Sequence, residues 1–265
     1  MATIFYFSST GNSLHVAKRI AEQIGDEYSL IPMRNEAVTC SDDVVGFVFP
    51  VYFFTLPRMV ERFVNQVQIT NKNAYVFAAV PHGGQIGGAL ARISHVLGKK
   101  GITVHYGAKL RARSNYLPMY TMDDSEEARR QLDSELSAAA KAIAAKTVRK
   151  TSKSTLLLSK LGGSFYPSED SDRFFTVSDA CVHCATCQKV CPADNIQVTD
   201  KGVEFLHKCE HCIGCLHNCP KDAIDWKGKT QGKKRYRNHN ITLKELMTPS
   251  EEDQQSASIG ESHKR

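Results

Sequence analysis

The chain has 265 residues, enough for one large or two smaller domains with real cores. Its apolar share of 42% and charged share of 23% are those of a globular protein, and its net charge of +6 is modest and concentrated rather than spread. The longest apolar runs, such as 44–54, fall far short of the ~20 residues that a membrane span needs, which excludes a spanning helix.

The first 150 residues alternate between two periods. Strand-like runs at 2–7, 28–31, 44–49, 74–80 and 102–110 are separated by helical patterns at 13–24, 57–67 and 88–97, and a long Ala/Glu/Arg/Lys-rich helix follows at 125–146. Five strands alternating with helices predict an α/β fold with a parallel sheet covered on both faces. The N-terminus enters its first strand with no basic region, apolar stretch and cleavage site before it, so a cytoplasmic protein is expected. Residues 151–172 mix Ser, Gly, Pro and charge and read as a linker, a cysteine-rich unit occupies 173–226, and 227–265 is a tail, first basic, then polar and partly disordered.

Eight of the nine cysteines fall between Cys181 and Cys219; only Cys40 stands apart, as a packed thiol. They form two copies of one pattern, "CVHCATCQKVCPADNI" and, 28 positions later, "CEHCIGCLHNCPKDAI". The spacing C-x2-C-x2-C-x3-C-P is the bacterial iron–sulfur run. Three thiolates two residues apart can turn around one face of a cubane, while the fourth begins a helix pointing away and serves the other copy. That predicts two [4Fe–4S] clusters with crossed ligation: Cys181, Cys184, Cys187 and Cys219 on one, Cys191, Cys209, Cys212 and Cys215 on the other. Zinc sites also use paired C-x2-C, but not a third Cys at x2 and a fourth before Pro, twice over. His183, His207, His211 and His217 occupy spacer positions and read as solvated or sulfur-facing side chains, and Phe205 and Trp226 as a small core.

Between the first strand and first helix stands Ser8-Ser9-Thr10-Gly11-Asn12-Ser13. It has neither the Lys of a Walker loop nor the G-x-G-x-x-G of a dinucleotide site. Hydroxyls and N–H groups at a helix N-terminus, with Gly11 for a close turn, suit a monophosphate, although the same residues also make a helix cap. In a doubly wound sheet the ligand crosses the carboxyl ends of the strands. There the chain places Pro50, Val51, Tyr52, Phe53 and Phe54 after strand three, and His82, Gly83 and Gly84 after strand four, a slot for a flat ring with Tyr52 facing it.

With [ST]-x-T-G-x-[ST], the "FPVYFF" stretch, Asn115-Tyr116-Leu117-Pro118 and the cysteine module, residues 1–240 resemble the fused flavodoxin–ferredoxin proteins of anaerobic prokaryotes. The resemblance implies a flavodoxin-like sheet of order 2-1-3-4-5, a second, small α+β ferredoxin-like two-cluster domain, and FMN as the phosphate-bearing ligand. A protonated His82 at the ring edge would stabilise the reduced anion. The expected function is electron relay between FMN and the clusters, and onward to redox partner proteins of acidic surface. One alternative is an oxidoreductase that reduces a small acceptor such as a quinone. Another is a binding or regulatory module that uses the basic segment 227–237, although nucleic acid is not an expected partner.

Overall fold

The computed structural model describes residues 1–25, 27–122, 126–152 and 154–247. Runs of apolar and small side chains build strands β1 (Ala2–Tyr6), β2 (Tyr28–Pro32), β3 (Val44–Val48), β4 (Tyr75–His82) and β5 (Tyr106–Arg111). They hydrogen-bond in the order 2-1-3-4-5, every pairing parallel, with Phe5 opposite Ile31 and Phe47, and Phe47 opposite Ala78. This is the flavodoxin-like doubly wound topology. Every residue of β3 is buried, as a central parallel strand requires. Gly46 within it leaves the space that the Phe77 ring fills.

Helices α1 (Asn12–Ile24), α2 (Arg58–Gln66), α3 (Ala89–Lys99) and α4 (Glu126–Ala144) follow strands one, three, four and five. Contacts pair α1 with α4 and α2 with α3, one pair on each face of the sheet. Ile4, Ile20, Phe77 and Ile143 pack under the first pair, and Phe5, Phe47, Phe63 and Ile93 under the second. Among the described residues no helix is long and apolar enough to cross a membrane.

The fifth strand starts at Tyr106, four residues later than expected. Ile102 N–H instead donates to Leu97 O and closes the end of α3, and His105 Nδ1 accepts the Val76 N–H that a strand carbonyl would otherwise take. The expected start of the last long helix, Ser125, lies outside the described residues.

The segment expected as a linker is built into the fold. It forms α5 (Leu156–Gly163) and a 3-10 turn (Glu169–Phe174), with α5 packed on α3. Thr55 Oγ1 and Ser159 Oγ are 2.5 Å apart, and Gly162 has no room for a Cβ beside Phe53 O.

The cysteine-rich region comprises β6 (Phe175–Val177), α6 (Thr186–Lys189), β7 (Ile196–Thr199), β8 (Gly202–Phe205), α7 (Gly214–Asn218) and β9 (Ile224–Trp226). β6 pairs antiparallel with β9 and β7 with β8. Phe205 stacks on Phe175, and Phe205 and Trp226 pack against the buried cluster that also holds the α2–α3 face of the sheet. The internal repeat is visible in the backbone. His183, Ala185 and Asp194 have positive φ, and so do His211, Ile213 and Asp222, each 28 positions on.

The described part of the tail is ordered against the sheet. Asn238 N–H donates to Thr10 O at 2.8 Å, Lys233 Nζ to Leu117 O at 2.7 Å, and Lys18 pairs with Glu245 at 2.6 Å. The last turn, α8 (Leu243–Leu246), starts with a capping box between Thr242 and Glu245. The polar stretch expected to be disordered, 250–265, lies outside the described residues.

Candidate functional site

A cavity of about 540 Å³ opens at the carboxyl ends of the strands. Ser8, Ser9, Thr10, Asn12 and Ser13 line one end of it; Pro50, Val51, Tyr52, Phe53 and Phe54 line one side, and His82, Gly83 and Gly84 the other. Gly11 is not part of the wall. It caps α1 at φ +94° with its back to the tail, and a Cβ there would come 3.0 Å from both Asn238 Cβ and Ile241 Cβ. No side chain caps α1, whose first N–H groups are therefore available, and Ser8 Oγ is buried without a hydrogen-bond partner. An anion held by that end of the helix would satisfy both.

Tyr52 N–H and Thr55 N–H each donate to the other residue's carbonyl, closing a tight turn over Phe53 and Phe54. Both central residues sit at positive φ, 47° and 62°, a costly backbone for aromatic residues. The turn is held from outside: Phe54 O accepts from Gly88 N–H at 2.9 Å, and the Phe53 ring stacks on Tyr166 at 5.0 Å. Burial, with Cys212 next to it, pushes the Tyr52 hydroxyl well above its usual range, and it stands 3.4 Å from Ser9 Oγ.

On the opposite side the two glycines differ. A Cβ on Gly83 would fall onto the Ser114 backbone, while Gly84 faces open space. His82 Nδ1–H donates to Gly84 O at 2.6 Å. Burial lowers the His82 pKa, the Gly84 contact partly opposes this, and Arg111 lowers it further. The shift disfavours the protonated form, the one in which His82 would stabilise a reduced ring.

The cavity also takes in residues that sequence reasoning had not placed there. From the loop after β5 come Arg113, Ser114, Asn115, Tyr116, Met119, Tyr120 and Thr121; Asn115 Nδ2 donates to Thr10 Oγ1 at 2.6 Å. The carboxyl-end rule for parallel sheets points to that loop. From the cysteine-rich region come His211, Cys212 and Ile213, for which no local signal exists.

Two smaller cavities lie within the cysteine-rich region. Cys181, Cys184, Cys187 and Cys219 line one, with Val198, Val203 and Ile224. Cys191, Cys209, Cys212 and Cys215 line the other, with Phe175, Ile196 and Phe205. Burial pushes the Cys187 thiol up to about 11 and Cys209 to about 12, and raises Cys212 and Cys215 well above the usual range. Four such thiolates carry negative charge only beside a compensating cation. Backbone N–H groups already reach two sulfurs, His211 N–H to Cys209 at 3.2 Å and Asn195 N–H to Cys191 at 3.3 Å. Among the described residues no three His, Cys, Asp or Glu side chains converge on a point that would hold a single ion.

Two of the four spacer histidines differ from expectation. His183 and His207 are exposed as solvated side chains should be, His207 also pairing with Asp172 at 2.6 Å. His211 is buried and hydrogen-bonded through Nε2 to Tyr116 OH at 2.7 Å. His217 Nε2–H donates to Asn115 O at 2.7 Å and its Nδ1 accepts Tyr236 N–H at 3.1 Å. Burial lowers both His211 and His217 to about 4, so each works as a neutral bridge between segments remote in sequence. α2 supplies the other clasp. Buried Glu210 accepts Met59 N–H at 3.0 Å and pairs with Arg62, while Arg58 donates to Cys209 O at 2.7 Å.

A family model of the flavodoxin domain matches residues 3–83, so this part of the chain is a flavodoxin-like domain. No curated protein matches the chain. Among solved structures, a flavodoxin of Streptococcus pneumonia TIGR4 is 13% identical over 52% of this chain and 97% of its own, with a TM-score of 0.36. A flavodoxin from the domain Archaea is 15% identical over 55% of this chain and 98% of its own (TM-score 0.37). An azoreductase from Bacillus anthracis str. Sterne is 12% identical over 55% and 100% (TM-score 0.40). Likenesses this distant say nothing about function.

Proposed function

We propose that the chain is an electron-transfer flavo-iron–sulfur protein, with FMN in the large cavity and a [4Fe–4S] cluster in each four-cysteine cavity of a ferredoxin-like domain. The observation that carries this reading is a shared wall: Cys212 and Ile213 line both the large cavity and the second cysteine cavity. FMN supplies one- or two-electron chemistry and each cubane one-electron chemistry. The thiols ring a cavity instead of meeting at a point, which suits a cubane because each cysteine binds its own iron.

The residues have separable tasks. The hydroxyls of Ser8, Ser9, Thr10 and Ser13 and the uncapped end of α1 would hold the phosphate. Tyr52, Phe53 and Tyr116 would flank the ring and keep water from it, and the Gly84 backbone gives close approach. N–H groups on Cys191 and Cys209 stabilise thiolate charge. The partners in this reading are redox proteins, one donor and one acceptor.

Anaerobic reconstitution with iron, sulfide and FMN, followed by metal and flavin analysis and EPR, tests the proposal. About eight irons and one flavin per chain are expected; about four irons or fewer, or no flavin, overturns it. Exposed Phe54, Met119 and Tyr120 at the cavity mouth favour a second reading, reduction of a small planar acceptor at the flavin. Steady turnover of quinones by the reconstituted protein, supplied with reduced ferredoxin, would establish that reading.

A further inference from the structure

α5 is built the opposite way to a helix that serves a core. It buries Ser159 and Gly162 and turns Leu157, Leu158 and Leu161 outward, each more than half exposed, with Phe165 just past its end exposed further still. A surface helix ordinarily hides its apolar stripe and shows its polar one. The stripe is the outer face of the helix, and its four side chains line none of the cavities described above. It is continuous with the mouth of the large cavity: Gly162 lies against Phe54, which is exposed and lines that mouth with Met119 and Tyr120. Of the twelve large hydrophobic side chains exposed among the described residues, seven belong to this stripe and this mouth. Apolar surface gathered in one place marks a contact with something else.

The charge of the stretches that build this surface has one sign. From Leu136 to Ser168 the sequence holds six Lys or Arg and no Asp or Glu, and the loops 49–57, 81–88 and 112–122 around the cavity hold no carboxylate either. Lys150 and Lys160 are exposed. The next carboxylates along the chain, Glu169 and Asp170, are taken up by Arg62 and Arg173. An apolar stripe accompanied by cations suits a surface that is anionic outside and apolar within. A second copy of the chain suits it less, because a twofold axis would set these like-charged stretches against each other.

We propose that α5 docks the protein on an anionic phospholipid surface, with Leu157, Leu158, Leu161 and Phe165 among the upper acyl carbons and Lys160 among the headgroup phosphates. Such contact is peripheral and needs no spanning helix. Burying one leucine in an apolar phase strengthens binding at least about tenfold, and each lysine held at an anionic surface adds about fivefold. Phe54 would bring the mouth of the large cavity against the same surface. The assignment does not depend on what that cavity holds.

Co-sedimentation of the full, reconstituted chain with vesicles tests this, using phosphatidylcholine alone and phosphatidylcholine with phosphatidylglycerol in equal parts. The mixed vesicles should bind the protein at least about tenfold more tightly, and added salt should weaken the association. Leu157→Ser combined with Leu161→Ser, both at exposed positions, should weaken it at least about tenfold with melting temperature, iron and flavin content unchanged. Lys160→Gln should weaken it about fivefold at low salt. No binding to either vesicle, or indifference to the paired leucine substitutions, would overturn the proposal. A dimer in sedimentation equilibrium that those substitutions dissociate would overturn it in favour of a second copy. Retention on an immobilised acidic ferredoxin without vesicle binding would overturn it in favour of a protein partner. Iron and flavin counts on the same samples report separately on the electron-transfer reading.

Discussion

Phe5, Phe47 and Phe77 of the sheet and Phe63 of α2 lie fully buried, whereas the interior of residues 175–226 contains Cys187, Cys191, Cys215, Asn195, Glu210, His211 and His217. The sheet has five- to eight-residue strands packed from both sides, each buried aromatic side chain contributing about 1.5–3 kcal/mol. The cysteine-rich region has strands of three or four residues and helices of four or five, too short to stand alone. The first region is held by apolar area. The second shares one apolar cluster with the α2–α3 face of the sheet and is tied to the first by polar bonds.

The widest test of this contrast is to strip iron from the reconstituted protein with a chelator under anaerobic conditions. Amide protection should vanish across 175–226 while β1 to β4 keep theirs, as read by hydrogen exchange. Protection that survived in 175–226 would show that region to be self-supporting. Next in size, Phe47→Ala should cost about 3–5 kcal/mol in urea unfolding, by leaving a cavity between the sheet and the α2–α3 pair. A much smaller loss would mean that the sheet interior is looser than its burial indicates.

Glu210→Gln probes the join. It weakens the Arg62 pairing and the acceptor for Met59 N–H, at an expected cost of about 1–3 kcal/mol. The loss should appear as earlier exchange at both 209–212 and 58–62, because one carboxylate serves both. The smallest effect concerns the tail. Lys18, then Thr242, hold the Glu245 carboxyl down at about 2 against its ordinary 4.5. Its contribution is therefore fully present above pH 4.5 and is lost as pH falls through 2. A partly exposed pair of this kind is worth about 0–1 kcal/mol, so limited proteolysis of the tail at graded acidity is the sensitive readout.

The two regions also differed in how far they could be read from sequence. Strand and helix periods located the sheet because buried parallel strands carry a strong local signature, as in "VVGFV". β5 was overextended because Ile102 looks like a strand residue but closes a helix. α5 was hidden by its length and by Gly162 and Gly163; the small size of Gly162 is what lets it lie on Phe53. The thirteen expected ring and phosphate residues other than Gly11 share one cavity, since the carboxyl-end rule is topological. His211 and His217 were read as solvated or sulfur-facing because nothing in a spacer position announces a partner some hundred residues away. Docking of one region on the other is a property of two surfaces, and neither surface is marked in the local pattern.

Asn238, Tyr236 and Ile241 close over Gly11 and Asn12, which adds a matter of timing. A ribosome adding about 5–20 residues per second takes roughly ten to forty-five seconds to go from Asn12 to Asn238. In the part of that interval after Arg111 has been made, the nascent sheet can fold with residues 8–13 uncovered and a φ +94° glycine facing solvent. Residues 236–241 are made after both parts they fasten, so they close last, and a chain stalled between Arg111 and Tyr236 would carry every strand of the sheet with residues 8–13 still uncovered.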